Sequence, residues 1–243
     1  MIYLNNRLRY FLGKRPVKIK NVNIYSPTID AIDDIGEIQY NIYLAVATFN
    51  KEVVFKNLFN LSSENYEEIE NEDAYELFVS IPAIRDVLKN ALCFFTRENV
   101  EFDSILFAYV ANNQVIIDKE NYVEVSNVIS ELNGIVEEKN KSVKFKNKKA
   151  KELYEKREKL RVKYKKNTTD DSLGLKDILS ILCNADGNGV NVFNVGQLTI
   201  YQVYEHFERL NIKEQHTRLL RVWANGYLSK DDKLPEWITK SKL

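Results

Sequence analysis

Thr199-Ile200-Tyr201-Gln202-Val203-Tyr204-Glu205-His206-Phe207-Glu208-Arg209-Leu210 is the stretch that decides the fold class. Ile200, Val203, Tyr204, Phe207 and Leu210 recur at the three- and four-residue intervals that put side chains on one face of an α-helix, and Thr199 stands where a helix start needs an accepting hydroxyl. Downstream, Lys213 to Asn225 reads as a next helix carrying Leu219, Leu220 and Trp223 and ending at Gly226. Upstream, Leu173 to Cys183 reads as a weaker one. Past the last helix, Leu234-Pro235-Glu236-Trp237-Ile238 places a large aromatic in a tail.

The same periodicity recurs toward the N-terminus. Ser26-Pro27-Thr28 opens a helix with Thr28 as cap and Ile32, Ile35, Ile38 and Ile42 at helical spacing, continuing through Phe49. Lys51 to Leu61 reads as helical, Asn71 as the cap of a helix to about residue 80, and Pro82 as the restart of one striped by Val87, Leu88, Ala91, Leu92 and Phe95. Asp118 caps a helix over 119–132 that ends near Gly134. Two regions read as extended. Val17 to Val22 alternates apolar and polar, with Arg7 to Leu12 as its partner across the Gly13–Pro16 turn, and Ser104–Val110 pairs with Gln114–Asp118 across Asn112-Asn113. The expected fold is mainly α with a small β component (α+β): helical modules, an N-terminal strand pair and a short central hairpin.

With 243 residues, 44% apolar and 29% charged, the chain can bury a real core, and its eight glycines and four prolines are too few for a turn-rich β-sandwich. Cys93 and Cys183 lie in apolar stretches and read as buried thiols, not a disulfide framework. Met1 to Tyr10 is too polar for a signal peptide, and no run approaches a membrane span. The expectation is a cytoplasmic protein without membrane contact.

Thirty-five basic and 35 acidic residues cancel, but unevenly. Seven acids fall between Glu64 and Glu76, with no Lys or Arg from 57 to 84. Residues 139–166 hold 14 Lys and Arg against three acids, a local charge of +11, on a helix whose seam is Ala150, Leu153, Tyr154, Leu160 and Tyr164. Asn167 to Ser172 is a polar hinge. The expected division is an N-terminal α+β domain over 1–138, the basic helix and hinge over 139–172, and a C-terminal helical module over 173–243. Three readings of the basic helix stay open: a phosphate rail using Lys148, Lys149, Lys151, Lys156, Arg157 and Arg161, a solvated helix, or a segment that docks on acidic surface such as Glu64–Glu76.

No pattern points to catalysis. His206 and His216 have no zinc-like partners in sequence, no serine sits in a nucleophile elbow, and there is no glycine-rich phosphate loop. Asn184, Asp186, Asn188 and Gly189 begin like a calcium loop, but its twelfth position is Val195 where a bidentate Glu is required, so a tight turn is expected. No catalytic residue, cofactor or metal is expected, and the chain reads as a binding protein.

Asn23-Ile24-Tyr25-Ser26-Pro27-Thr28, Ile35-Gly36-Glu37-Ile38-Gln39-Tyr40-Asn41, Gln197-Leu198-Thr199-Ile200-Tyr201-Gln202-Val203-Tyr204 and the Gly226–Trp237 segment together resemble the tail assembly chaperones of long-tailed bacteriophages of Gram-positive hosts. The resemblance implies a helical adaptor that coats the tape measure protein before the tail tube forms around it. It would act in the host cytoplasm, be absent from the mature virion, and meet the tape measure protein, the tail tube protein and copies of itself. The helix at 139–166 has no counterpart in that pattern. Two rivals are a nucleic-acid-binding phage protein using 139–166 and a structural tail or virion component. The expected partner contact is C-terminal, at Trp223, Tyr227, Leu234 and Trp237, because aromatic anchors dominate interface energetics; of the two tryptophans, Trp223 reads as nearer the core.

Zero net charge weakens the long-range attraction that residues 139–166 would exert on phosphate. Titration against duplex and single-stranded DNA at about 150 mM salt is expected to give binding weaker than about 1 μM, where ordinary non-specific affinity ends. Tighter binding would establish the nucleic-acid rival.

Overall fold

The computed structural model describes residues 7–135, 173–227 and 236–240. The basic helix of 139–166, the hinge of 167–172 and Leu234 lie outside the described residues. The architecture is mainly α with a small β component. The order is α1 (Arg7–Leu12), β1 (Val17–Ile19), β2 (Val22–Ile24), α2 (Ile29–Ile35), α3 (Glu37–Ala47), a π-helical segment (Val53–Leu58), α4 (Ser63–Ile69), α5 (Ala74–Ser80) and α6 (Pro82–Thr96). Then follow β3 (Glu101–Asp103), β4 (Ala108–Ala111), β5 (Gln114–Ile117), α7 (Tyr122–Leu132), α8 (Leu175–Asn184) and α9 (Ile200–Ala224).

The core gathers around α6, whose Ile84, Leu88, Ala91, Leu92 and Phe95 are buried against α3, α5, β2 and β3. Proline at its first position costs nothing there, because that N–H has no helical acceptor. Phe49 stacks on Phe78 at 5.3 Å and meets Tyr122 edge-on at 4.9 Å, which ties α5 to α7 through rings.

Several elements depart from the expectations. Arg7–Leu12 is a helix, and the strand pair is β1 with β2, joined by a tight turn in which Lys20 has φ +48°. The alternation of Val17, Ile19, Val22 and Ile24 fits two short paired strands as well as one longer strand. The helix from Thr28 breaks in two at Gly36, φ +83°, a conformation that ends α2 and starts α3; Ile38 then points into solvent. The helix expected at 51–61 is shorter and turns π-helical over Val53–Leu58. Ser62 and Asp73, not Asn71, cap α4 and α5. The central hairpin has a third strand, with order β3-β4-β5, and it opens late. Asp103 Oδ1 accepts from Ile105 N at 2.8 Å and Leu106 N at 3.0 Å, so 104–107 turns and Ile105 is 94% exposed. Asp118 folds its own loop, accepting from Glu120 N and Asn121 N, and α7 starts at Tyr122. The two helices expected at 199–225 are one of 25 residues, about 37 Å long. Cys93 and Cys183 are half-buried, not buried, and Cys93 Sγ accepts from Val100 N at 3.3 Å.

The segment after residue 173 meets the first 135 through α1, α2 and α7, and most directly through a main-chain bridge. Thr28 and Thr199 form an antiparallel bridge; Ile200 N donates to Pro27 O and Ile29 N to Leu198 O, both at 2.9 Å. Each threonine also caps the helix that follows it. Ser26 Oγ donates to Leu132 O at 2.9 Å and accepts from Tyr201 N at 3.4 Å, so one buried hydroxyl joins β2, α7 and α9. Approach here is close enough that a Cβ on Gly196 would lie 1.8 Å from Asp30 Oδ1.

Buried phenols lock this frame. Tyr40 donates to Asn133 Oδ1 at 2.9 Å, Tyr109 to Arg85 O at 3.1 Å, and Tyr75 to Phe107 O at 2.9 Å. Burial first, then negative or tyrosine neighbours, pushes all three well above the ordinary tyrosine value. Below pH 10 these phenols are protonated in folded and unfolded chains alike. Above it only the unfolded chain ionises, so stability falls by about 1.4 kcal/mol per phenol and pH unit. Denaturant melts should therefore show stability changing little from pH 8 to 9.5 and dropping steeply beyond pH 10, with Tyr40→Phe giving a shallower drop. An identical drop in that variant would remove Tyr40 from the account.

Candidate partner-binding surface

α9 has two unlike halves. Its start is buried at Ile200, Tyr201 and Val203 and packs on α1, α7 and α8. Gln202 strengthens that anchor: its Oε1 accepts from Thr199 N at 2.8 Å and its Nε2 donates to Phe11 O at 2.8 Å. Tyr10 meets Tyr201 edge-on at 5.6 Å. From Asn211 onward no described residue of the helix is fully buried. This half still carries an apolar row. Ile212, His216, Leu219 and Trp223 follow at four-, three- and four-residue steps, with Leu220 beside them, whereas Glu214, Arg218 and Arg221 face away. An amphipathic helix normally lays such a row on its own core; here Ile212, His216 and Leu219 are half-buried, and Leu220 and Trp223 at the far end are exposed.

Trp223 is 55% exposed, so it lies no nearer the core than Trp237, against the expected ranking of the two tryptophans. Tyr227, one turn on and 83% exposed, is held in the closing turn, where Gly226 N donates to Trp223 O and Tyr227 N to Val222 O. Trp237 is 49% exposed and stands apart from both. Its tail segment, 236–240, meets α9 at Arg209, whose guanidinium donates to Thr239 O and, at 3.1 Å, to Glu205 Oε1. Arg209 lies 14 residues from Trp223, about 21 Å along the helix. Trp223 and Tyr227 thus share one end of the exposed half and Trp237 marks the other. Leu234 lies outside the described residues, as do Lys148, Lys149, Lys151, Lys156, Arg157 and Arg161.

Among the described residues no cluster of three His, Cys, Asp or Glu could hold a metal. His206 stands against the Phe11 ring at 6.2 Å, and the Asn184–Gly189 turn is tied by Asn188, which donates to Leu182 O and accepts from Val190 N. No helix among the described residues is long and apolar enough to cross a membrane.

Other exposed apolar residues escaped the sequence reading. Leu8, Phe11 and Leu12 on α1, Leu58 and Phe59 at the end of the π-helix, Ile105 to Phe107, and Val192 with Phe193 are all exposed. Only α1 had a signal in sequence, its Leu8 and Leu12 four residues apart beside Phe11.

Residues 164–242, about a third of the chain, match the family described as YomV second domain, a phage-related family. The match takes in α8, α9 and the tail, the part that carries the exposed row. No curated protein and no solved structure matches the chain.

Proposed function

We propose that this chain is a non-enzymatic binding protein of phage tail assembly, a chaperone that covers apolar helical surface on the tape measure protein until the tail tube encloses it. The observation that carries the reading is the exposed second half of α9. Its Leu219–Leu220–Trp223 row, with Tyr227 beyond it, projects from a helix whose first half is fixed in the core. A row of this kind pairs with an apolar stripe on a second helix, in the helix-in-groove mode of recognition. The exposed Arg218 and Arg221 on the opposite face keep the pair soluble. The similarity of residues 164–242 to a phage-related family supports the setting. In this reading the protein acts in the host cytoplasm and leaves before the virion is complete.

The test is co-expression with the tape measure protein and recovery of the pair, comparing wild type with Trp223→Ala and Trp237→Ala. Trp223 is half in water, so its removal should leave the melting temperature within a few degrees. As an anchor its loss should weaken partner recovery by about thirtyfold, the equivalent of about 2 kcal/mol. Trp237→Ala should weaken it less. Unchanged recovery with Trp223→Ala would exclude α9 as the contact, and no recovery of a tape measure protein by wild type would exclude the function.

A further inference from the structure

We propose that copies of this chain associate through unlike patches, the basic groove beside α1 on one copy receiving the acidic α4 face of another.

The first acidic residue of the sequence is Asp30, and before it stand Arg7, Arg9, Lys14, Arg15, Lys18 and Lys20. All six are exposed, and Arg9, Lys14 and Arg15 line one groove. Strand β1 turns Val17 and Ile19 inward and Lys18 outward, and α1 with its turn exposes Arg7, Arg9, Lys14 and Arg15. α1 and the turn after it line a groove of about 510 Å³ with Leu8, Arg9, Leu12, Lys14 and Arg15. Its described lining joins aliphatic and cationic side chains. A bare phosphate backbone would leave the leucines unused, and a neutral apolar helix would leave the cations unused. The groove fits an acidic surface with an apolar projection.

The chain carries such a surface elsewhere. Glu64, Glu67, Glu68, Glu70 and Glu72 on and after α4 are exposed, and Leu58 and Phe59, at the end of the π-helical segment that packs on α4, are exposed as well. The nearest cations are committed. Lys51 Nζ donates to the carbonyls of Ile69, Glu70 and Glu72, closing the end of α4. Lys56 pairs with Glu52 at 3.1 Å and lies 4.3 Å from the Tyr66 ring centre. Glu67 and Glu68 have no ion pair with any described residue. A surface that joins exposed apolar and acidic side chains thus complements a groove that joins apolar and basic ones. The two are carried by different elements of a chain whose net charge is zero. Contact between unlike patches closes as a two-fold pair or ring, or continues as a filament.

Sedimentation of the full chain at about 50 μM tests this. Because the Debye length shrinks from about 10 Å at 0.1 M salt to about 3 Å at 1 M, wild type should associate at the lower salt and sediment as a monomer at the higher. A groove variant (Lys14→Glu with Arg15→Glu) and a face variant (Glu67→Gln with Glu68→Gln) should each associate at least about tenfold more weakly alone, with circular dichroism unchanged. Mixed in equal amounts, they retain one intact groove and one intact face between them and should form a two-chain species and nothing larger. A wild type that is monomeric at 0.1 M salt overturns the proposal. So does association that survives either variant, as it would if another segment such as 139–166 occupied the acidic face, or a mixture that forms no pair.

Discussion

One buried hydroxyl, on Ser26, holds three segments in register. It gives its hydrogen to Leu132 O at the end of α7 and takes one from Tyr201 N at the start of α9. Residues 27–29 and 198–200 bridge through their main chains on either side. The first peptide N–H groups of a helix have no intrahelical acceptor, so a helix that starts in the core must find substitutes or leave donors unpaired at a cost of about 1–3 kcal/mol each. Here the substitutes are Ser26, Pro27 O and the Thr199 cap. The start of α9 is therefore fixed by segments more than 160 residues earlier in the chain, and the exposed apolar row takes its direction from that junction.

The tyrosines extend the same logic. Their rings fill the core, and their hydroxyls, having nowhere wet to go, donate to a side-chain amide or to main-chain carbonyls. Among the described residues no buried side-chain nitrogen or oxygen lacks a partner. Lys51 plays a comparable role at the surface, where one ammonium serves three carbonyls at the end of α4. Polar groups thus set which packing is adopted, and apolar area supplies the drive for it.

Much of this was legible in the sequence. The caps Thr28 and Thr199 were readable because a hydroxyl before an apolar-periodic run has one common use. The stripe of α6 was readable because Leu88, Ala91, Leu92 and Phe95 keep strict helical steps. The break at Gly36 was not, because Ile32, Ile35 and Ile38 keep helical spacing through it and periodicity is blind to the sign of φ. The continuity of α9 was missed for the opposite reason. Its polar stretch near Asn211 looks like a boundary, but no glycine or proline interrupts it. The candidate site was half visible. Sequence singles out Trp223 and Tyr227, but whether a helical row meets its own core or runs beyond it depends on where the core ends, which only the packing of α1, α7 and α8 reveals.

A rod clamped at one end is a lever. The clamp on α9 spans its first half, from Thr199 to Leu210, and Trp223 sits about 20 Å farther along the axis. A sideways force at the tip bears on the contacts at either end of that clamp with more than its own magnitude, whereas a force along the axis loads the helical hydrogen bonds in series and gains no such advantage. The protein is thus mechanically anisotropic. The far end of α9 therefore resists being drawn lengthwise and yields more readily when pushed aside.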